Sequence, residues 1–364
     1  MMQRMSQSFS IRQSAVKASV FALSVVACAT SMASENGLQR YSPGVGGSDM
    51  TSPVVPGWYW QTAAVYYNAH KVKNNSGKDS LNPFIPAVPS VSPAIPAGVT
   101  EIQSDVATTA LLNRLTFVST ERVLGANVGF TVMQPLGIRK GSFSANPVAP
   151  AYAPYATGLT TKLAANDGKQ VGIGDLELGP LFHWEIGDHQ AANFVPMIIL
   201  PTGDYSATRR LNMGYGNFYT FRPSAQYAYI GDGWDVGGRA VLSFNTRNKD
   251  NGYYSGNMFN LDWQAMKFVT EDVRVGLQGY MVRQINSDTC KAGIGETAAQ
   301  CNRNPFTMAS VSTGNKTSVN AAGPAVAWLK NGGEFLLEGK FMKEFDAKNR
   351  TEGKAFWLTL SKPL

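Results

Sequence analysis

The chain reads as an all-β protein: a transmembrane, antiparallel, up-and-down β-barrel of about 12 strands behind an N-terminal signal peptide. Three observations predict it. From Gly57 onward, segments of roughly ten to fifteen residues alternate apolar with polar side chains. The gaps between them are alternately short and long, and the first 33 residues have the anatomy of a secretory leader.

The alternation is clearest over Asn257 to Lys267. Phe259, Leu261, Trp263 and Ala265 share one parity there, while Asn260, Asp262 and Gln264 share the other. A strand has period 2, so this segment has one apolar and one polar face. Glu271 to Gln284 repeats the pattern, with Val273, Val275, Leu277 and Met281 against Arg274, Gln278 and Tyr280. Only Thr270, Glu271 and Asp272 separate the two runs, which makes them a hairpin.

Only 16% of the 364 residues are charged, against about 25% in soluble proteins. Arg4, Arg12 and Lys17 precede an apolar stretch, Ala18 to Ala29, and then Ser31-Met32-Ala33 offers small residues for cleavage. Residues 1–33 are therefore expected to be a signal peptide, with Cys28 discarded. The apolar stretch is too short to span a bilayer, and no later run reaches the ~18 apolar residues a spanning helix needs. Loss of the leader lowers the formal charge from +7 to +4, too small an excess to argue for nucleic acid.

Residues 34–56, rich in Gly, Ser and Pro, read as an irregular segment, a lead-in or a piece tucked near the periplasmic mouth. The barrel is expected over 57–364. Strand one is Gly57 to Val72, followed by a loop in which Pro83 to Pro96 hold five prolines and exclude a strand. Strands two and three, near Thr108 to Ser119 and Arg122 to Leu136, meet in a turn of two or three residues. Strand four is Gln170 to Ile186 and strand five Ala191 to Pro201. Strand six, Asn217 to Ile230, reverses at Gly231-Asp232-Gly233 into strand seven, Trp234 to Asn245. Strands eight and nine are the hairpin above. Strands ten and eleven, Thr317 to Lys330 and Glu334 to Glu344, flank Asn331-Gly332-Gly333, and strand twelve is Gly353 to Ser361. Short turns follow the even strands and long gaps the odd ones, the asymmetry of bacterial outer-membrane barrels with both termini in the periplasm. Tyr219, Phe221, Tyr227 and Tyr229, with Phe182 and Trp184, would supply aromatic girdles.

Several of these motifs resemble one exported family, the outer-membrane proteins of the meta-pathway of phenol degradation, described as transporters. The most specific stretch is Gly172-Ile173-Gly174-Asp175-Leu176-Glu177-Leu178-Gly179-Pro180, then Trp184, then Leu200-Pro201-Thr202-Gly203-Asp204-Tyr205. Asn217, Tyr219-Thr220-Phe221, Trp234, Phe244-Asn245, Tyr254, Gly256, Gln284 and Asp288 follow in similar order and spacing. The resemblance implies a barrel in the bacterial outer membrane that takes up aromatic or other hydrophobic small molecules, aromatic acids among them.

If the apolar parity faces lipid, the other parity lines the lumen, because a charge facing hydrocarbon costs ~2 to 4 kcal/mol. That places Asp175, Glu177, His183, Glu185, Arg222, Gln226, Asp235, Arg239, Asp262, Arg274, Gln278, Glu338 and Lys340 inside. Two arrangements are open: the opposite signs pair and fill the barrel, or Arg222, Arg239 and Arg274 form a basic ladder that guides anions. Cys290 and Cys301 share one long polar loop, and in an oxidising compartment a disulfide between them is expected. No metal or cofactor is expected, since no Cys-x-x-Cys or His-x-x-x-His spacing occurs and the Gly-x-Gly at 172–174 precedes a strand, whereas a phosphate loop precedes a helix. Enzymatic activity is not expected: a lipase needs a Ser, a His and an orienting group, and the three histidines, His70, His183 and His189, adjoin no recognisable nucleophile motif. The partners expected are outer-membrane lipid and a hydrophobic or aromatic substrate, and the alternative role is a structural or adhesive surface barrel.

Overall fold

The computed structural model describes residues 39–48, 55–79, 84–85, 98–99, 101–146, 167–207, 209, 211–291 and 316–364. Among them, 12 barrel strands follow the chain in simple order: β1 (Gly57–Lys73), β2 (Glu101–Val123), β3 (Ala126–Asn146), β4 (in two parts, Gly168–Ile173 and Leu176–Ile186), β5 (Gln190–Leu200), β6 (Thr220–Gly231), β7 (Trp234–Asn245), β8 (Met258–Phe268), β9 (Val273–Gln284), β10 (Ser318–Lys330), β11 (Phe335–Lys348) and β12 (Arg350–Pro363). Each pairs antiparallel with its neighbours in sequence, and β1 also pairs with β12, from Tyr59 opposite Pro363 to Lys73 opposite Arg350. The sheet therefore closes and presents no free edge to lipid.

The turns after β2, β4, β6, β8 and β10 lie at one end, together with the start of β1 and the end of β12. Asp232-Gly233 and Asn331-Gly332 each have two consecutive positive-φ residues, the backbone of a twisted two-residue hairpin. The turn between β2 and β3 does the same at Leu124-Gly125, with φ of 51° and 80°. The predicted turn near Ser119 to Arg122 is thus displaced along the chain. A bulge between Val118 and Arg122 carries the strand on, and an exposed leucine at positive φ gives no turn signal.

Three further differences stand out. β11 and β12 meet at Asn349, with φ of 52°, so the long gap expected after strand eleven is a tight turn. Phe84–Ile85 pairs with Gly98–Val99 inside the proline-rich loop, because the two residues between Pro83 and Pro86 keep their own amide hydrogens. Strand four is interrupted at Gly174-Asp175, where the Gly174 amide bonds to the Pro135 carbonyl. The interruption shifts the parity by one: Val171 and Ile173 point outward before it, and Asp175 and Glu177 point inward after it.

The two faces differ as a bilayer requires. Leu111, Phe130, Ile198, Phe221, Val326 and Phe341 are exposed on the outside, whereas Asp235, Gln264, Arg274, Gln278 and Glu338 are buried on the inside. An outer surface this apolar is matched to lipid.

Candidate functional site

The lumen is occupied by the chain itself. Residues 39–48 run through it from the outer half towards the periplasmic end, held by bonds to β6, β8, β9 and β11 and to the break in β4. Arg40 forms an ion pair with Asp175 of β4 at 3.0 Å, donates to the Gly216 carbonyl at 2.8 Å and lies 3.9 Å over the Phe218 ring. Asp262 of β8 accepts three hydrogen bonds from the segment: the Tyr41 hydroxyl at 2.6 Å, the Gly44 amide at 3.1 Å and the Gly46 amide at 3.0 Å. Glu338 of β11 accepts the Ser48 amide at 2.8 Å, and Lys340 donates to the Gly46 carbonyl. Arg222 and Arg274 donate to the carbonyls of Arg40 and Ser48 at 3.1 and 3.0 Å. Charged acceptors holding backbone amides are among the stronger hydrogen bonds, so the segment is firmly seated. Glycine is needed at 47, where any side chain would run into the Glu338 carboxylate.

The residues singled out by parity fall into a few clusters. Glu177 pairs with Arg222, Asp235 with Arg274 at 2.8 Å, and Glu338 with Lys340 at 3.2 Å. Gln278 bridges Glu338 at 2.8 Å and Lys340 at 3.0 Å. His183 meets Asn193 at 2.6 Å through Nδ1, and Arg239 lies 3.4 Å from Gln226. Glu185, at the periplasmic rim, is exposed. A ladder of free cations is not what these positions make, because Arg222 and Arg274 each hold a carboxylate. Two further buried groups belong with them: Glu344, which shares the parity of Glu338 and Lys340, and Arg139, which lies beyond the end expected for strand three. Glu344 accepts from Tyr67, Tyr280, Arg350 and the Gly353 amide, and Arg139 donates to the Asn212 carbonyl.

The loop between β5 and β6 folds back over the outer mouth, with Leu211, Asn212, Met213 and Phe218 buried. Asp175 fixes its base by accepting the amides of Gly203 and Tyr215 at 2.9 and 3.2 Å. The hydrogen bond from Arg209 holds the Asp204 carboxyl below the usual carboxylate range, and burial raises the Tyr215 phenol.

Two spaces flank the segment. In the outer half a cavity of about 150 Å³ is walled by Tyr67, Met213, Tyr215, Met258, Tyr280 and Trp357. In the periplasmic half a cavity of about 510 Å³ has an apolar side built from Leu181, Val195, Met197 and Val241, and Tyr41 borders both. Behind that apolar side the wall is unusual. The β4–β5 ladder holds at Leu178 opposite Ile198 and again at Phe182 opposite Phe194, but not between them. This register sets Pro180 opposite Pro196, and neither has an N–H to give. Pro223 of β6 lies opposite Pro196 on the other side.

Catalytic and metal readings find little geometry. The Ser104 hydroxyl donates to the His70 carbonyl at 3.2 Å and not to its ring. Among the described residues no group of three His, Cys, Asp or Glu could hold a metal ion. Thr289–Cys290 pairs with Tyr253–Tyr254, and Cys301 lies outside the described residues, so the expected disulfide does too.

Comparison with known proteins agrees with this architecture. A crystal structure of an outer membrane channel from Pseudomonas putida F1 superposes with a TM-score of 0.61 at 11% identity, over 89% of this chain and 100% of that one. The β domain of the Bordetella autotransporter BrkA gives 0.44 at 8% identity, over 85% and 100%. No curated protein matches in sequence. The profile of the family described as "Putative MetA-pathway of phenol degradation" matches residues 90–360, well over half of the chain. The protein therefore belongs to that family, as a closed β-barrel of the bacterial outer membrane.

Proposed function

We propose that the barrel is a channel for small hydrophobic molecules, aromatic ones included, and that they leave it sideways through its wall. The observation that carries this is the coincidence of the apolar side of the 510 Å³ cavity with the proline pair behind it. Elsewhere a substrate would have to break two ladder bonds at every second residue pair to pass between strands, each expensive to leave unmade in lipid. At Pro180 and Pro196 those bonds are already missing. Phe182, Phe194 and Ile198 cover the outside of the same place, so an apolar solute passes from an apolar pocket to an apolar belt without meeting a charge. The family to which the chain belongs supports the choice of aromatic substrates. The protein acts without cofactor or covalent chemistry.

Replacing both prolines by valine restores two donors to the seam. Uptake of labelled phenol and toluene into proteoliposomes should then fall several-fold, while ion conductance stays as it was and the thermal midpoint rises. Unchanged uptake by a folded Pro180→Val, Pro196→Val protein would exclude this route.

A further inference from the structure

The outside of the barrel carries a second feature that passage through the lumen does not explain. At the outer ends of the strands one row of the sheet bears four outward-facing lysines. The register sets Lys169 opposite Lys140, Lys140 opposite Ala107, Ala107 opposite Asn68, Asn68 opposite Lys354, and Lys354 opposite Lys343. All four lysines are exposed. In each strand the next outward residue towards the periplasm is apolar: Val171, Ile138, Phe356 and Phe341. The row therefore stands where the lipid belt ends and head groups begin.

Two of these contacts are lysine directly opposite lysine, an arrangement that opposes itself across a ladder. Nothing among the described residues relieves it. The carboxylates two residues along from the row have other partners: Asp105 bonds to Asn68 at 2.7 Å, Glu352 to Lys73 at 3.7 Å, and Asp167 is engaged as well. Among the described residues none of the four lysines forms an ion pair, whereas in the lumen Glu177, Asp235 and Glu338 each pair with a cation. An anion seated between two such lysines turns the repulsion into attraction, and lysine binds phosphate as a point charge. The nearest lysines of the two pairs, Lys140 and Lys354, lie three strand spacings apart, about 14 Å at ~4.8 Å per strand, and the centres of the pairs four, about 19 Å.

We infer that this row binds the phosphorylated glycolipid of the outer leaflet. One phosphate sits at Lys140 and Lys169, and a second at Lys343 and Lys354. The acyl chains run down the belt over Ile138, Val171, Phe341 and Phe356. A lipid with two phosphates on one head group and several chains beneath fits this surface. A free anion would use the lysines and ignore the belt, and a zwitterionic diacyl lipid would use the belt with a single phosphate. Only the outer face takes part, so the site is independent of whether the lumen conducts.

The test uses the full barrel refolded in neutral detergent, with bisphosphorylated lipid A as probe and monophosphorylated lipid A, phosphatidylethanolamine and inorganic phosphate as comparators. Binding is read by native mass spectrometry and by the shift in thermal midpoint. Replacing all four lysines by glutamine should weaken bisphosphorylated lipid A binding by about an order of magnitude and abolish its stabilising shift. Without lipid the variant should melt no lower than the parent, because a repulsion has been removed. Each two-lysine variant, K140Q with K169Q or K343Q with K354Q, should lose the preference for two phosphates over one, and these remain informative if the fourfold variant does not fold. Equal lipid A binding by parent and variant overturns the proposal, as does equal stabilisation of the parent by inorganic phosphate.

Discussion

Deleting Gln39 to Ser48 should turn the narrow lumen into a continuous aqueous path, seen in planar bilayers as a several-fold rise in single-channel conductance. The segment separates the two cavities, and Tyr41 borders both. Its removal takes from Asp175, Asp262 and Glu338 the donors that the segment supplies, but water replaces those donors once the lumen is open, so the barrel should persist. The gentler change Gly47→Val should act in the same direction by forcing the segment away from the Glu338 carboxylate. A deletion variant that conducts no better than the parent would mean that the constriction lies in the loop over the outer mouth.

The second large effect concerns the pair of Glu177 and Arg222, both buried. Glu177→Gln leaves a guanidinium in the wall with one carbonyl and a methionine sulfur as its other acceptors, Arg40 O and Met197. Removing one partner of a buried ion pair costs about 3 to 5 kcal/mol, and denaturant titration of the barrel should register a loss of that order. Replacing both partners, Glu177→Leu with Arg222→Met, should recover most of it, since an apolar pair leaves no charge stranded. If the double variant is no better than the single one, the arginine matters mainly as the holder of the Arg40 carbonyl.

Much of the fold was legible in the residues because a closed sheet in a bilayer leaves little freedom. β7 runs over the predicted Trp234 to Asn245, and β8 and β9 begin and end within a residue or two of the alternation that marks them. Gly231-Asp232-Gly233 and Asn331-Gly332-Gly333 announce their turns because those residues accept positive φ cheaply. What escaped is what carries no period. Leu124 turns the chain without looking like a turn residue, and the break at Gly174-Asp175 exchanges the two faces of a strand in a single step. Alternation nominates Asp262 and Glu338 for the lumen, yet nothing in it says that they would hold the backbone of residues 41 to 48. The clue lay in a run of small residues, Pro43-Gly44-Val45-Gly46-Gly47-Ser48, which can approach a carboxylate backbone first, and in Arg40, the lone charge between Glu35 and Asp49. Proline has a similar double meaning. Pro180, Pro196 and Pro223 each look like a blemish in a strand, and only the register shows them side by side.

The seat of residues 39–48 also bears on how the molecule is made. The donors at Tyr41 and Ser48 find acceptors 221 and 290 positions later in the chain, and the Arg40 carbonyl meets Arg222 at a separation of 182. The earliest described residues thus acquire partners only when nearly the last strands have been laid down, which is the slowest kind of contact to form. Whatever machinery inserts this barrel must keep its leading segment inside the growing curl of sheet until β12 reaches β1, or else leave it to thread an already sealed cylinder.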